Sequence, residues 1–544
     1  MSAYSAHVDT FARDNLPPLD QWPDLVFTIP EVQYPDRLNC AVELLDNWVR
    51  QGHGDHPAIL SASGSLTYAQ MQAQVDQVAH VLTSDMGLVP GNRVLLRSAN
   101  NTMMAVCWLA IAKAGLIVVA TMPLLREKEL VDIIEKAQIS AAICDKQLDA
   151  ELLAAQQRCP VLQQIVYFND PSSSGLEARM SAWHEPFSAV DTAADDTALI
   201  AFTSGSTGKP KATMHFHRDI LAICDCFPKS IVHLTADDIC IGTPPLAFTF
   251  GAGGLLLFPL RVGAATVLLE RLTPESMLQA IQSYRATITW SSPLFYRQMA
   301  ALASKYDLPT LQQSVSAGEA LPVSTRTMWR EATGIEIIDG IGSTEMLHIF
   351  IASAGSDVRP GATGKVIPGY QACILDNAGN QLPAGVVGRL GVKGPTGCRY
   401  LADERQRTYV QHGWNLTGDA YLMDEDGYFW FQARTDDIIL TAGYNIAGPE
   451  VEGALLEHPA VAECAVVGAP DPERGTIIKA FVVLQAGYTG NDALVQTLQN
   501  FVKQHIAPYK YPRAIEFCDR LPRADTGKVQ RYKLRQLEQG GTNA

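Results

Sequence analysis

Positive charge is scarce in this sequence. Its 544 residues include 42 lysines and arginines against 57 aspartates and glutamates, so the formal net charge at pH 7 is −15. An acidic surface repels nucleic acids and anionic membranes, which argues against non-specific binding to either. A polyanionic ligand would therefore need a local basic pocket. With 47% hydrophobic and 18% charged residues, the composition is otherwise that of a globular protein long enough for several domains.

Several other patterns are missing. The eleven cysteines include no C-x-x-C pair and most lie in apolar runs, which favours reduced core thiols over a disulfide framework. The most apolar stretch, residues 103–122, is interrupted by Lys113 and Gly115, so no transmembrane span is expected. The first 25 residues lack the basic start and apolar core of a secretory signal, which favours a cytoplasmic location. The spacing of His215, His217, Cys224, Cys226 and His233 is not that of a structural zinc site.

Residues 203–211, Thr-Ser-Gly-Ser-Thr-Gly-Lys-Pro-Lys, predict a phosphate-binding loop. The hydroxyl groups can donate hydrogen bonds, the glycines let backbone N–H groups approach a phosphate, and lysine supplies positive charge. A Walker A loop is excluded, because Thr203 stands where that motif requires glycine and Pro210 where it requires serine or threonine. A flexible surface turn is the simpler alternative for such a composition. No G-x-S-x-G elbow is present to indicate a serine hydrolase.

Predicted strands and helices alternate along most of the chain. Apolar, β-branched runs predict strands at 93–96, 116–120, 141–144, 197–202, 266–269, 287–290 and 335–338. Periodic segments predict helices at 66–83, 103–113, 127–136, 274–284, 322–332 and 492–505. This alternation is typical of parallel α/β sheets covered on both faces. After residue 361, shorter strands with glycine turns predict a β-rich subdomain.

The fold class we expect is therefore α/β with two domains. A large N-terminal domain, residues 1–435, would hold stacked, mostly parallel α/β sheets and the β-rich subdomain. A small mobile α+β domain, residues 436–544, would follow a charged junction at 434–437. That junction is a solvated linker or a hinge.

Three further stretches carry polar groups that a purely structural chain does not need. Residues 340–345, Gly-Ile-Gly-Ser-Thr-Glu, follow a predicted strand, and Glu345 would be a Mg²⁺ ligand there or a helix cap. Asp419 is expected on a tight turn, where it could accept hydrogen bonds from ribose hydroxyls, although turn aspartates are common. Lys528 lies in a glycine turn near the end of the chain, where a lysine is usually just solvated.

In this order, the motifs resemble those of the adenylate-forming superfamily of acyl-CoA synthetases, adenylation domains and luciferases. The resemblance runs from about Leu66 to Arg535, and the ordered set is far more specific than any single motif. It implies Mg²⁺ at Glu345, Thr344 at the phosphates, and ribose hydroxyls held by Asp419 and Arg434. ATP phosphates would lie on the loop residues Thr203, Ser204, Gly205, Thr207 and Lys209. Adenine would be enclosed by Gly318, Glu319, Ala320, Asp339, Gly340 and Ile341.

The same resemblance implies that the small domain moves. Lys528 would reach into the site during adenylation, Asp436 would be the hinge, and Gly443 and Tyr444 would approach the pantetheine channel in the second half-reaction. The family usually has an aromatic residue where Ile341 stands, so aliphatic packing would replace adenine stacking here. That loss should cost at most about 0.5–1.5 kcal/mol, which leaves ATP binding intact.

Within the superfamily, residues 340–350 are similar to the benzoate-CoA ligase group. Residues 215–227 and 244–251 look closer to 2-aminobenzoate (anthranilate)-CoA ligases. The resemblance implies an acid pocket formed by Ala247, Phe248, Phe250, Gly340, His348 and Ile349. Flat apolar walls, a missing side chain at Gly340 and one polar contact from His348 suit an aromatic carboxylate, with Phe248 as the gate to the thiol channel. A buried core histidine is the simpler alternative for His348.

The implied function is an ATP-dependent aryl-CoA ligase. It would activate 2-aminobenzoate, with benzoate or 2-hydroxybenzoate as alternatives, as aryl-AMP, and then transfer the acyl group to CoA. Lys209, Thr344, Glu345 and Lys528 would act by positioning and charge stabilisation. The expected cofactors are ATP and Mg²⁺, with coenzyme A as co-substrate. A stand-alone adenylation enzyme for a carrier protein and a non-catalytic aryl- or nucleotide-binding regulator remain alternatives, and both monomer and homodimer stay open.

Overall fold

The computed structural model describes residues 4–62, 64–203, 210–434, 437–441, 444–471, 475–506, 510–524 and 527–538. The strands of this part are β1 Pro57–Leu60, β2 Leu66–Thr67, β3 Arg93–Arg97, β4 Ile117–Thr121, β5 Ala141–Asp145, β6 Gln164–Phe168, β7 Thr197–Thr203, β8 Lys211–Phe216, β9 Ile239–Gly242, β10 Ala265–Val267, β11 Ile288–Ser291, β12 Gln313–Ser316, β13 Ile337–Gly342, β14 Ile349–Ser353, β15 Lys365–Val366, β16 Gln371–Leu375, β17 Gly388–Lys393, β18 Val410–Gln411, β19 Trp414–Met423, β20 Phe429–Arg434, β21 Ile438–Thr441, β22 Tyr444–Ala447, β23 Val461–Asp471, β24 Gly475–Leu484 and β25 Ala514–Phe517.

The α-helices of the same part are α1 Phe11–Asp14, α2 Tyr68–His80, α3 Thr102–Lys113, α4 Glu127–Ala137, α5 Asp149–Arg158, α6 Leu176–Met180, α7 His217–Phe227, α8 Thr249–Ala252, α9 Phe258–Val262, α10 Pro274–Tyr284, α11 Pro293–Ala300, α12 Val323–Thr333, α13 Gln406–Tyr409, α14 Gly448–Leu456, α15 Asp492–His505 and α16 Arg531–Glu538. None of these helices is long and apolar enough to cross a lipid bilayer.

Two large sheets form the first part of the chain. One has the strand order β6-β5-β3-β4-β7-β8 and is parallel except at its edge, where β7 and β8 run antiparallel. The other has the order β15-β14-β13-β12-β11-β9-β10-β1-β2 and is parallel from β13 to β1, with antiparallel pairs at both edges. The predicted alternation of strands and helices is thus confirmed.

The two-residue period of the strands divides their side chains between cores. In β3, Val94 and Leu96 contribute to the largest core, which also contains side chains of the second sheet, whereas Leu95 packs with the helices α4 and α5. In the second sheet, Ile338 joins the largest core and Ile337 packs with α10, α11 and α12. Each sheet is therefore covered on both faces, which explains why its strands are nearly continuous apolar runs.

The rest of the chain is built from smaller sheets. The predicted β-rich subdomain is an antiparallel sheet of order β16-β17-β19-β18, with β20 also paired to β19. A C-terminal α+β unit contains the hairpin β21-β22 and the sheet β23-β24-β25. Its main core is shared with α14 and α15. The expected domain boundary at 435/436 lies outside the described residues and stays a prediction.

Two predictions about local structure were wrong. The strand expected at 335–338 is β13, which starts later and continues to Gly342, because Gly340 and Ile341 pair with Ala352 and Ile351 of β14. Asp419 does not lie on a turn: it lies within β19, opposite Arg434 of β20. In both cases the antiparallel strand that follows along the chain, β14 or β20, extends the ladder through residues whose composition indicates a turn.

Candidate active site

Side chains from three parts of the fold converge on Lys528. Surrounding protein lowers the pKa of its ammonium below the ordinary lysine value. The carboxylates of Glu319, Asp419 and Glu345 oppose that shift, and the Arg434 guanidinium adds to it. The lysine side chain nevertheless remains accessible to solvent. The structure therefore brings together five residues that the sequence singled out, around a position that a dissolved ligand can reach.

A tight turn presents Lys528. The Ala524 N–H donates to the Lys528 carbonyl at 2.8 Å, and the Gly527 N–H donates back to the Ala524 carbonyl at 2.8 Å. Gly527 has a φ of +84°, a conformation that glycine adopts without steric cost. The predicted glycine turn is thus present.

Arg523 ties this turn to its surroundings. Its guanidinium donates to the Gly527 carbonyl at 2.6 Å and forms an ion pair with Glu463 at 2.7 Å. The same group lies 3.9 Å from Glu319 Oε1. Burial raises the pKa of Glu319, while Arg523 and Lys528 oppose the increase. Opposite charges on the C-terminal turn and on the 318–320 segment after β12 thus attract each other.

Glu345 lies just after β13 and is only 8% exposed. Its Oε1 accepts a hydrogen bond of 2.5 Å from the Tyr400 hydroxyl. Carboxylate oxygens are the ligands that Mg²⁺ prefers, and in nucleotide sites one or two of them act together with phosphate oxygens. No group of three or more His, Cys, Asp or Glu side chains in the described part of the chain could hold a metal by itself. Glu345 therefore fits Mg²⁺ that is shared with a phosphate.

A buried polar cluster holds the backbone of Thr344 in place. His215 Nε2 lies 2.8 Å from the Thr344 carbonyl and must donate, because a carbonyl only accepts. Burial lowers the pKa of His215 to about 4, so the ring is neutral near pH 7. Its Nδ1 faces Asp219 at 4.0 Å, and Asp219 forms a 2.7 Å ion pair with the fully buried Arg399. These contacts fix the segment that carries Thr344 and Glu345.

Asp419 and Arg434 form a cross-strand pair. Arg434 Nη1 donates to Asp419 Oδ1 at 2.8 Å and to the Thr417 carbonyl at 3.1 Å. A Cβ on Gly418 would lie 2.8 Å from Arg434 Nη2, so the guanidinium lies directly over that glycine. Asp419 is 7% exposed. The two residues implied to hold a ribose are therefore adjacent, although Asp419 reaches this position from a strand.

The predicted adenine site contains buried polar atoms that lack partners. Within the described residues, neither Asp339 Oδ1 nor Ser316 Oγ has a hydrogen-bond partner. Burial raises the pKa of Asp339 to about 7, while the Arg326 charge and a hydrogen bond from the Gly340 backbone oppose the increase. Ile341 is half-buried and packs against the main core. The site thus offers an aliphatic wall beside a carboxyl group that is partly protonated near neutral pH.

His348 lies in a cage of aromatic rings and is 3% exposed. The nearest ring is Phe258, with 4.5 Å between centroids, and Phe227, Phe250 and Trp290 follow at 5.7, 5.8 and 6.3 Å. Neither imidazole nitrogen makes a hydrogen bond of ordinary geometry within the described part of the chain, although an interaction with the Phe250 backbone acts on the ring. Burial lowers the pKa of His348 to about 3. The side chain is therefore a neutral polar group in an apolar, aromatic environment.

The other residues of the predicted acid pocket flank this cage. Ala247 and Phe248 are half-buried on the segment that leads into α8, and Phe250 is half-buried within α8. Asn100 fixes that segment, because its amide donates to the Pro244 carbonyl at 2.9 Å and accepts from the Leu246 N–H at 2.7 Å. The position of Phe248 as a gate stays a prediction.

Gly340 differs from its expected role. A Cβ built there would lie 2.8 Å from Ile349 Cγ2 and 2.9 Å from Ile349 Cδ1. The space that a side chain at 340 would take is thus filled by Ile349, which is 2% exposed. Gly340 shapes the wall by admitting Ile349 rather than by leaving an open slot.

Part of the predicted site lies outside the described residues, namely Ser204, Gly205, Thr207, Lys209, Asp436 and Gly443. Thr203 is the last residue of β7 and is half-buried, and Tyr444 begins β22. Gly318 and Ala320 are exposed beside Glu319. The roles of all these residues stay predictions.

Sequence reasoning missed Tyr400 and the use of Lys211. Lys211 Nζ lies 3.3 Å from the Tyr400 hydroxyl, which in turn contacts Glu345. Tyr400 is in no local motif, and it reaches the site through an antiparallel bridge with Thr213 of β8. A strand prediction for 211–216 would have placed Lys211 beside the site, but nothing near Tyr400 predicts its contact.

Comparison with known proteins places these features in one family. The sequence profile described as "AMP-binding enzyme" matches residues 45–400, and the profile "AMP-binding enzyme C-terminal domain" matches residues 450–528. The benzoate–CoA ligase of Thauera aromatica is 34% identical over 517 residues, which are 93% of this chain and 98% of that protein.

Two solved structures are similar over nearly the whole chain. The anthranilate CoA ligase AuaEII in complex with anthranoyl-AMP superposes with a TM-score of 0.89 and 32% identity, and the match covers 94% of this chain and 99% of that one. A benzoate CoA ligase from Burkholderia xenovorans LB400 superposes with a TM-score of 0.83 and 31% identity, covering 92% of this chain and 100% of that one.

Proposed function

We propose that this chain, which belongs to the AMP-binding enzyme family and is an ATP-dependent acyl- or aryl-CoA ligase that forms AMP, activates an aromatic carboxylate. The first candidate is 2-aminobenzoate, and benzoate and 2-hydroxybenzoate are the alternatives. Similarity to ligases named for anthranilate and benzoate supports this choice.

The observation that carries the proposal is the environment of His348. Four aromatic rings surround a neutral imidazole whose nitrogens make no well-formed hydrogen bond within the described part of the chain, apart from an interaction with the Phe250 backbone. Leaving a buried polar atom unpaired costs about 1–3 kcal/mol, so a ligand that pairs with it gains that amount. A planar acid with one polar ring substituent offers both a flat apolar face and such a partner, whereas an alkyl chain offers neither.

In the first half-reaction, a carboxylate oxygen of the acid attacks the α-phosphorus of ATP. The new bond gives the aryl-adenylate, and the bond to pyrophosphate breaks. Lys528 and Lys209 stabilise negative charge on the phosphates, and the Thr344 segment positions the phosphates. Mg²⁺ held by Glu345 would neutralise further phosphate charge when it is bound. No side chain of the enzyme needs to act as a nucleophile.

In the second half-reaction, the CoA sulfur attacks the acyl carbon and AMP leaves. Lys528 approaches the site from the C-terminal unit, so it would have to withdraw before the thiol channel can open. We propose that rotation about Asp436 moves it away and brings Gly443 and Tyr444 to the channel. Asp419 and Arg434 belong to the β-rich sheet and would keep the nucleotide ribose in place throughout.

The test is pyrophosphate release with benzoate, 2-aminobenzoate, 2-hydroxybenzoate and octanoate, each with and without CoA. We expect kcat/KM to be highest for 2-aminobenzoate and lowest for octanoate, and thioester to appear only with CoA. A preference for octanoate would contradict the aromatic assignment. Equal values for the three benzoates would contradict the choice of 2-aminobenzoate.

A matched pair of variants separates the polar contact of His348 from its packing. His348→Leu should lower kcat/KM for 2-aminobenzoate relative to benzoate by ~5- to 100-fold, the range for one buried hydrogen bond. Phe258→Leu disturbs the ring packed closest to His348 but removes no polar atom, so it should affect both acids equally. If both variants change the ratio alike, His348 acts through packing alone.

A further inference from the structure

The contact between Tyr400 and Glu345 places a hydroxyl group against the carboxylate that the proposed function assigns to Mg²⁺. The donor–acceptor distance is 2.5 Å, at the short end for a hydroxyl on a carboxylate. Tyr400 is fully buried and Glu345 is 8% exposed, so water does not compete at the phenol. A contact of this kind fixes both the position and the rotation of the carboxylate.

Lys211 determines the direction of this hydrogen bond. Its ammonium lies 3.3 Å from the Tyr400 hydroxyl and 5.3 Å from the centre of the same ring. An ammonium group only donates, so the phenol oxygen must accept from Lys211 and must give its single hydrogen to Glu345.

Such a chain of donors strengthens each of its bonds. The lysine charge polarises the phenol, and a polarised phenol is a better donor to the carboxylate. Oε1 of Glu345 already accepts this bond on one of its two lone pairs, whereas Oε2 accepts no hydrogen bond from any of the described residues. The two oxygens of one carboxylate are therefore not equivalent.

We propose that Lys211 and Tyr400 are positioning residues that hold Oε1 of Glu345 and so direct Oε2, the oxygen with both lone pairs free of the described residues, toward Mg²⁺. The inference rests on the proposed function, since it needs Glu345 to be the metal ligand. Neither residue touches the metal. Their effect is on the concentration of divalent cation that the site requires.

The chain contains a matched control for Tyr400. Tyr409 is also buried, and the two rings lie 5.7 Å apart. Its hydroxyl contacts the Ser343 hydroxyl at 3.3 Å instead of a carboxylate. Replacing either tyrosine with phenylalanine removes one buried hydroxyl from the same region, but only one of the two substitutions frees Glu345.

The first experiment measures Mn²⁺ binding by electron paramagnetic resonance, in the presence of an ATP analogue that cannot be cleaved. We expect Tyr400→Phe to raise the Kd for Mn²⁺ by ~10- to 100-fold, the usual effect of losing a group that orients a metal ligand. Tyr409→Phe should change it less than twofold. The Mg²⁺ concentration that gives half-maximal pyrophosphate release should rise with the Kd, while KM for the acid stays unchanged. An unaltered Kd in folded Tyr400→Phe would overturn the proposal.

The second experiment tests the role of Lys211. Lys211→Met should raise the Kd for Mn²⁺ in the parent enzyme but not in the Tyr400→Phe background, because the tyrosine transmits its effect. An equal increase in both backgrounds would mean that Lys211 acts on the nucleotide directly, and the relay would be wrong. If Tyr400→Phe does not fold, Lys211→Met alone decides, since an unchanged Kd contradicts the relay.

Glu345→Gln distinguishes a failure of the metal-ligand assignment from a failure of the positioning role. If this variant leaves the Kd for Mn²⁺ unchanged, Glu345 is not the ligand and that part of the proposed function fails. If Glu345→Gln raises the Kd and Tyr400→Phe does not, Glu345 remains the ligand and only the positioning role fails.

Discussion

Replacing Gly340 with alanine would place a methyl group against the side chain of Ile349. The new Cβ would lie 2.8 Å from Cγ2 and 2.9 Å from Cδ1 of that residue, closer than real Cβ atoms approach a neighbour. To reach the 3.4 Å of ordinary contact, Ile349 would have to move by about 0.6 Å. Ile349 is 2% exposed and belongs to the main core, so it has no free space on its other side.

The expected cost follows from this geometry. Inserting one methyl group into a packed core costs about 1–3 kcal/mol in strained rotamers and backbone shifts. Alanine also lowers the conformational entropy of the unfolded chain, which stabilises the folded protein by about 0.4–1 kcal/mol. We therefore expect Gly340→Ala to lower the free energy of unfolding by about 1–2 kcal/mol. Because the new methyl group meets Ile349 of the proposed acid pocket, KM for the acid should rise by a larger factor than KM for ATP, whose predicted adenine site also includes Gly340.

Urea unfolding and steady-state kinetics measure the two effects. Gly453→Ala is the control, because a Cβ at this helical position meets nothing within 4 Å, and alanine should stabilise α14 by up to about 1 kcal/mol. A double-mutant cycle with Ile349→Ala isolates the contact. Once Ile349 has lost the clashing atoms, Gly340→Ala should no longer destabilise the protein.

Two outcomes would contradict a clash between the new methyl group and Ile349. If Gly340→Ala costs the same in the Ile349→Ala background, the penalty does not come from this contact. If Gly340→Ala is as stable as the parent and KM for the acid is unchanged, the wall at Gly340 is not tightly packed.

The remaining predictions concern the C-terminal turn and the buried carboxyl at position 339. Lys528→Ala should slow aryl-adenylate formation by at least ~100-fold, while thioester formation from supplied aryl-adenylate survives. Lys533→Ala, which changes an exposed lysine, is the control. Equal losses in both half-reactions would contradict the two domain orientations. Asp436→Pro should restrict the rotation and slow overall turnover, and unchanged turnover would contradict the hinge. Burial raises the pKa of Asp339 to about 7 from 3.8, so its charging makes stability fall as pH rises from about 4 through 7. Asp339→Asn should remove about 3 kcal/mol of that pH dependence in urea unfolding between pH 5 and pH 8, and parallel curves for the two proteins would contradict the shift.

The repeating elements were predictable because their signals are local. α10 begins at Pro274 with Thr273 as its cap and ends at Tyr284, as the sequence indicates. α15 likewise spans Asp492–His505. Elements with strong periodicity and caps need little help from the rest of the fold. Residues 340–342 and Asp419 were expected outside strands because their local composition indicates turns, and they join β13 and β19 through pairing with the strand that follows each along the chain.

The order of motifs along the chain was enough to indicate the family and the kinds of residue that bind ATP. The sequence could do so because the chemistry of phosphate, ribose and divalent cations restricts which side chains serve. Only the tertiary structure decided what surrounds them: Ile349 filling the space at Gly340, four rings around His348, and Lys211 and Tyr400 behind Glu345. These contacts join strands and loops more than fifty residues apart in several cases. They depend on packing distances, which no local pattern of residues contains.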